Sequence, residues 1–380
     1  GKILMLFFKK RKKTIVAEQD AIKNDVVTSK LDIKELKNAI EGANINILLG
    51  AGFTANIYKP LNNIEDMLTY VERIDNQNLK DVIIWEFFKK TILPMSSTKI
   101  QDMQLQVEFF KTIRELLTRR GNPVVNKQAN IFTTNYDVVP ELTVEHLNFD
   151  YNDGFKGKIN PKFSTANYGN ILIKNLVSSN NKAEIESINL YKMHGSLTWR
   201  KCENSSTDFN YDFINIINQI NEEYKDKFQD NEFDTIKHLI EKKDNQALLN
   251  ISTNGQGLFN KLTNIFNMVW PTKQKFHNTV LNLNYYELLR IFSNELEKNQ
   301  SLLLVFGFSF NDEHILEIVK RSLANPTLLV YIFCFTEDEA NKIYKKFENC
   351  ENFNNIKFIY DDQSNFDLER LNKELDKIYS

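Results

Sequence analysis

Cysteine, histidine and net charge are all scarce in this chain, and no long apolar run occurs in it. Its three cysteines, Cys202, Cys334 and Cys350, stand too far apart for a Cys-x-x-Cys pair or a disulfide framework. That spacing suggests a reducing, cytoplasmic setting and argues against a structural zinc site. A formal charge of -2 over 380 residues gives no electrostatic reason to expect nucleic acid as the main ligand. No stretch is long enough to cross a bilayer. The opening "GKILMLFFKKRKK" has its apolar residues before its basic ones, the reverse of a secretory signal, so Lys9 to Lys13 read as a solvated basic arm. Against these absences, 42% hydrophobic and 12% aromatic residues suffice for a large globular core.

Several short apolar runs end in small or polar residues, which is how buried parallel strands read. They are "INILLGAG" (45–52), "NIFTTNYD" (130–137), "INLYKMHGS" (188–196), "SLLLVFGFSF" (301–310) and "TLLVYIFCF" (327–335). In open α/β sheets the carboxyl edge of such strands is where ligands bind. Between the first two runs the pattern is helical, with Ile64, Met67, Leu68 and Val71 on one face and Val107, Phe110, Ile113 and Leu117 on another. An ordinary dinucleotide-binding dehydrogenase would return to a second strand there, so hydride transfer is disfavoured. "YDFINIINQINEEYKDKF" and "FDTIKHLIEKK" predict further amphipathic helices. "LNYYELLRIFSNELEKN" (283–299) predicts the strongest one, with a stripe of Leu288, Ile291, Phe292 and Leu296.

Four motifs follow the strands. "LLGAGFTANIYKP" is a strand and glycine turn in which Gly50, Gly52 and Ala55 satisfy the loose pattern of a pyrophosphate-binding loop. A bare strand-to-helix turn is the alternative, and a Walker loop is excluded because no Gly-Lys-Ser/Thr follows. "FTTNYD" sets Thr133, Thr134, Asn135 and Asp137 just beyond a strand, where Asp137 could equally cap local backbone. "YKMHGSLTWR" ends a strand on His194, one of only five histidines. "GFSFNDEHI" adds Gly307, Ser309, Asn311 and Asp312, with Asp312 also placed to cap the following helix and His314 in its first turn.

In this order (glycine turn, Asn-x-Asp, His-Gly, Gly-x-Ser) the motifs resemble the sirtuin family, specifically a branch of bacterial sirtuin-like proteins of phage defence. "YNDGFKGKINPKF" (151–163) and "PTKQKFHNTVLNLNYYELLRIFSNELEK" (271–298) resemble the sirtuin-like subunit paired with a HerA-like ATPase. The resemblance implies an α/β fold: a Rossmann-like parallel sheet with helices on both faces, helical insertions and no zinc module. The expected organisation is a helix, first strand and glycine loop over 1–60 and a helical insertion over 61–124. The Rossmann-like unit continues over 125–200, a second insertion spans 201–254, and the unit is completed over 255–380.

By the same resemblance NAD+ is the substrate. Gly50, Ala51, Gly52, Phe53 and Thr54 would wrap its pyrophosphate, and Thr134, Gly307, Ser309 and Asp312 would add contacts to the nucleotide. His194, Asn135 and Asp137 would form the catalytic set, and no metal is implied. Two departures count against acetyl-lysine peptides: "TANIYKPLNN" stands where protein-deacetylating sirtuins have Pro-Asp-Phe-Arg, and their four-cysteine zinc module is missing. The expectation is a cytoplasmic bacterial NAD+ hydrolase, a homo-oligomer controlled by an ATPase partner, with nucleic acid not expected from charge but left open through that complex, and no membrane association. A deacylase or ADP-ribosyltransferase is the second reading and a non-catalytic nucleotide sensor the third. Lys273, Tyr285 and Tyr286 are candidates for the pocket or a subunit contact, the tyrosines equally for the core.

Overall fold

Eight strands build the main sheet: β1 (Val27–Thr28), β2 (Asn44–Leu49), β3 (Gln128–Thr133), β4 (Asp150–Asn152), β5 (Ser187–Lys192), β6 (Ser301–Phe306), β7 (Leu328–Phe333) and β8 (Ile356–Ile359). Their order is β1-β8-β7-β6-β2-β3-β5-β4, and every pairing is parallel. The computed structural model describes residues 26–59, 64–74, 76–176, 181–201, 206–271, 283–348 and 355–379. The basic arm, Cys202, Lys273 and Cys350 lie outside these. Among the described residues no helix is long and apolar enough to cross a membrane.

Continuous apolar runs make these strands because both faces of the sheet are covered. Alternate residues feed two cores: Ile45, Ile47 and Leu49 face one, and Leu48, Leu303 and Val305 the other. The helices Ile33–Gly42 (α1), Gln104–Thr118 (α4), Val139–His146 (α5) and Leu368–Asp376 (α13) cover the first face. Leu283–Glu297 (α10), Glu313–Ser322 (α11) and Glu337–Phe347 (α12) cover the second. The fold is thus an α/β, Rossmann-like parallel sheet with helices on both faces.

The centre of the sheet carries a polar register mark. Asn46, Asn130 and Asn189 lie side by side on β2, β3 and β5. Asn130 donates to Asn46 at 2.9 Å and Asn189 donates to Asn130 at 3.0 Å. A slip of one residue in any of the three strands would turn its asparagine to the other face and break the ladder.

The helical stretches that precede β3 and follow β5 in sequence meet in one lobe. Gln77–Phe87 (α3), flanked in sequence by Ile64–Val71 (α2), runs on through a π-helical turn, Phe88–Ile92, and a 3-10 turn, Leu93–Ser96. It packs against Glu232–Lys242 (α7) and Leu258–Ile265 (α9), while Phe213–Tyr224 (α6) covers the 3-10 turn. Asp81, fully buried on α3, accepts from the N–H groups of Gly257 and Phe259 at 2.9 and 2.8 Å and so caps α9. Trp85 stacks on Phe228 at 5.3 Å. A four-stranded antiparallel sheet (Trp199–Lys201, Thr207–Phe209, Lys162–Phe163, Phe155–Lys156) flanks the far side.

Candidate active site

Strands β6, β2, β3 and β5 are adjacent, and the four sequence motifs leave their carboxyl ends side by side. Strand β2 sits where the order reverses, with β3 on one side and β6 on the other, which is the position ligands take in open α/β sheets. The two glycine loops there are in backbone contact. Gly50 N–H donates to the Phe306 carbonyl at 3.0 Å, and Gly52 N–H to that of Gly307 at 2.9 Å. A Cβ on Gly52 would stand 2.5 Å from Gly307 Cα, so no larger residue fits without moving a loop. These glycines are therefore required by the protein's own packing. Two of the N–H groups expected to cradle a pyrophosphate are already spent, and Ala51 and Thr54 are the loop residues that line the cavity. After it comes only a 3-10 turn, Ala51–Thr54, and Ala55 is exposed rather than packing a helix on the strand.

His194 leaves β5 at a sharp turn. Gly195 takes φ +76° and passes beneath the segment 267–269, where Val269 N–H donates to the His194 carbonyl at 2.8 Å. The imidazole Nε2 lies 3.0 Å from Asp312 Oδ2, with the two side chains 13% and 15% exposed. Asp312 Oδ1 meanwhile accepts from the N–H groups of His314 and Ile315, capping α11. Asp312 was expected among the nucleotide contacts; it lines the cavity, but its oxygens hold the histidine and the helix. Burial alone would raise its carboxyl, yet the hydrogen bond and charge of His194 bring it down to about 2.

That folded-state value lies below the unfolded carboxyl of about 3.9. The stabilising contribution is therefore complete above about pH 4 and lost as pH falls towards 2. Asp312→Asn should flatten the acid limb of melting temperature against pH, measured by circular dichroism.

Asn135 and Asp137 close the opposite wall. Asn135 Nδ2 donates to the Gly50 carbonyl at 3.0 Å, binding the β3 loop to the glycine turn. Asp137 lines the cavity, but Oδ1 accepts from Val139 N–H at 3.0 Å and Oδ2 from Thr54 Oγ1 at 3.3 Å. Both oxygens thus have partners within the protein, in keeping with the capping role that its position also allowed. Burial pushes Asp137 up against the pull of the Lys192 ammonium. Lys192 itself is 2% exposed, bonded to the Asp137 carbonyl, and 3.1 Å from Glu141, whose carboxyl burial raises to about 7.

Between these walls lies a cavity of about 250 Å³. Of the residues singled out from the sequence, Ala51, Thr54, Thr134, Asn135, Asp137, His194, Ser309 and Asp312 line it. Phe53 does not: its fully buried ring packs on Phe109 and Phe110 at 5.3 and 6.0 Å. The rest of the wall comes from Phe87, Thr91 and Met95 of the helical lobe, from Val269 and Pro271, and from Tyr58, Tyr136, Phe308 and Asn311 in the loops after the strands. No motif marks Phe87, Thr91, Met95 or Val269. Tyr285 is core, bonded to Asn267 at 3.0 Å beside Gly195, whereas Tyr286 is 49% exposed on the other side of α10. Among the described residues no group of three or more His, Cys, Asp or Glu could hold a metal ion.

No protein-family model and no curated protein matches this sequence. Among solved structures it is similar to one described as "The Structural basis for Sirtuin Substrate affinity", at 12% identity and a TM-score of 0.43, over 91% of this chain and 98% of that one.

Proposed function

We propose that the chain is a sirtuin-like NAD+ hydrolase that converts NAD+ and water to nicotinamide, ADP-ribose and a proton. One observation carries the reading: His194, backed by a carboxylate at 3.0 Å, shares a cavity at the β2 switch point with Asn135 and Ala51. At about 250 Å³ that cavity is smaller than the pockets of roughly 300–1,000 Å³ that enclose whole ligands. It suits one ring-and-sugar end of a dinucleotide.

Nicotinamide leaves NAD+ as a neutral group, taking the electrons of the broken C–N bond. No general acid is needed, unlike the carboxylate pair of an ordinary glycoside hydrolase. What the protein must supply is a base for a ribose hydroxyl or the attacking water, and a histidine does this at neutral pH. Asp312 fixes the imidazole and stabilises the charge it acquires. Asn135 orients without adding charge. The aromatic and methyl groups of Phe87, Met95 and Val269 exclude bulk water from one side.

Unrestrained NAD+ hydrolysis would halt a cell's metabolism, so we further infer that the enzyme is held silent and switched on within an assembly containing an ATPase partner, in defence against phage. The test is to incubate the purified chain, alone and with such a partner, with NAD+ and chromatograph the products. Nicotinamide with free ADP-ribose supports hydrolysis. O-acetyl-ADP-ribose formed with an acetyl-peptide would point to a deacylase, and binding without products in either state to a sensor.

A further inference from the structure

We propose that Lys346 is a positioning residue for the His194 base, acting through the loop that carries Asp312. The kinetic part of this inference rests on the hydrolase reading; the structural part does not. Lys346 lies in the last turn of α12, and its ammonium reaches three acceptors on consecutive residues. These are the Ser309 carbonyl at 2.9 Å, the Phe310 carbonyl at 3.1 Å and Asn311 Oδ1 at 2.6 Å. An ammonium has three donors, so this loop takes its full capacity. All three partners are neutral acceptors, and Asp312 is the next residue along.

The loop needs such a clamp. Between Gly307 and Asp312 the chain enters the left-handed region twice, at Gly307 (φ +65°) and at Phe310 (φ +55°). Glycine adopts that conformation freely, whereas a bulky aromatic residue does so only where its surroundings force it. Phe310 is 1% exposed, and its ring packs on Phe308 at 5.0 Å and on Phe347, the neighbour of Lys346, at 5.3 Å. The end of α12 thus holds the loop by one apolar and three polar contacts. Without the ammonium, the carbonyls that Phe310 and Ser309 turn towards α12 lose their partner, and the left-handed residue can relax. Asp312 would keep its cap on α11 through Oδ1 while Oδ2 loses its aim at Nε2. A carboxylate displaced by about 1 Å no longer orients an imidazole, and misplacement on that scale can lower turnover by roughly 10²-fold.

The test compares Lys346→Met, Lys346→Arg, Asp312→Asn and the double variant Lys346→Met/Asp312→Asn, each checked for a cooperative melt. The first readout is the ring N–H proton of His194 by NMR, in a chain with only five histidines, assigned by its loss in His194→Gln. It needs no turnover. The second is kcat and KM for NAD+.

Lys346→Met is expected to move the His194 N–H signal as Asp312→Asn does. It should lower kcat by about 10–100-fold with KM within about 2-fold. The double variant should be no slower than Asp312→Asn alone, because both changes act on one link. Lys346→Arg, which keeps the charge and at least two donors, should recover most of the signal and rate. An unchanged His194 signal in Lys346→Met would overturn the proposal, as would a double variant slowed by the product of the two single effects. If the wild-type protein turns over no NAD+ with or without a partner, the hydrolase reading fails, and the NMR comparison still decides the role of Lys346.

Discussion

Replacing His194 by alanine is expected to lower NAD+ hydrolysis by about 10²–10⁴-fold, the usual contribution of a positioned proton acceptor. The affinity for NAD+ should stay within a few-fold, because the glycine loops at Gly50 and Gly307 are held to each other by main-chain bonds that the substitution leaves alone. The fold should also survive. The imidazole is only partly buried, and the one side-chain partner it gives up, Asp312, keeps its cap on α11. Rapid-quench or discontinuous assays of nicotinamide release, with calorimetric titration of NAD+, separate the two effects. A His194→Ala protein with near wild-type rates would remove histidine from the chemistry and overturn its assignment as the base.

Gly195→Ala should be almost as damaging by another route. At φ +76° an alanine is strained whatever space surrounds it, and here the added methyl would also meet the Asn267 carbonyl and lie 2.6 Å from Tyr285 Oη. Left-handed strain alone costs about 1–3 kcal/mol, and the clash adds to it. The segment 267–269 must then move, and with it the residues that hold the His194 carbonyl and complete the cavity wall. Urea denaturation should show a loss of at least about 2 kcal/mol, and turnover should fall by roughly 10²-fold or more. Gly257→Ala is the control. It carries nearly the same backbone angle, φ +83°, with nothing within 4 Å of the new methyl, so it isolates the strain from the collision. Equal losses in the two variants would mean that contact with the 267–269 segment contributes nothing.

The strands that the sequence predicted are those with continuous apolar runs, β2, β3, β5, β6 and β7, because a strand buried on both faces needs such a run. Strands β1, β4 and β8 are short, of two to four residues, and carry too few positions for any period to register. The core stripe of α10 was legible too, with Leu288, Phe292 and Leu296 fully buried and Ile291 partly so. On α4, Phe110, Ile113 and Leu117 are buried as read, whereas Val107 is half-buried and Gln106 beside it is fully buried and donates to the Phe53 carbonyl at 2.7 Å.

The candidate site was legible where short motifs follow strands, since a parallel sheet carries every strand end to one edge. Partnerships across the chain were not. Asp312 and His194 are 118 residues apart, and although the cap on the following helix could be read, nothing in either motif announces that the other carboxylate oxygen serves the histidine. Phe53 illustrates the opposite error. It sits inside a motif, but in a 3-10 turn its side chain points away from the loop's open face, into Phe109 and Phe110. The aromatic wall escaped notice because Phe87, Thr91 and Met95 belong to a helical run whose pattern reports only that it is buried. Lys346 was silent for a related reason, since on a helix surface a lysine reads as solvated until its three acceptors are seen.

A crystal structure of the His194→Ala protein grown with NAD+ is the most direct measurement. The ribose that carries nicotinamide is expected within hydrogen-bond reach, about 3 Å, of the space the imidazole vacates, with Asn135 alongside. Nucleotide bound at another surface, or seated with its adenine end in this cavity, would contradict the assignment.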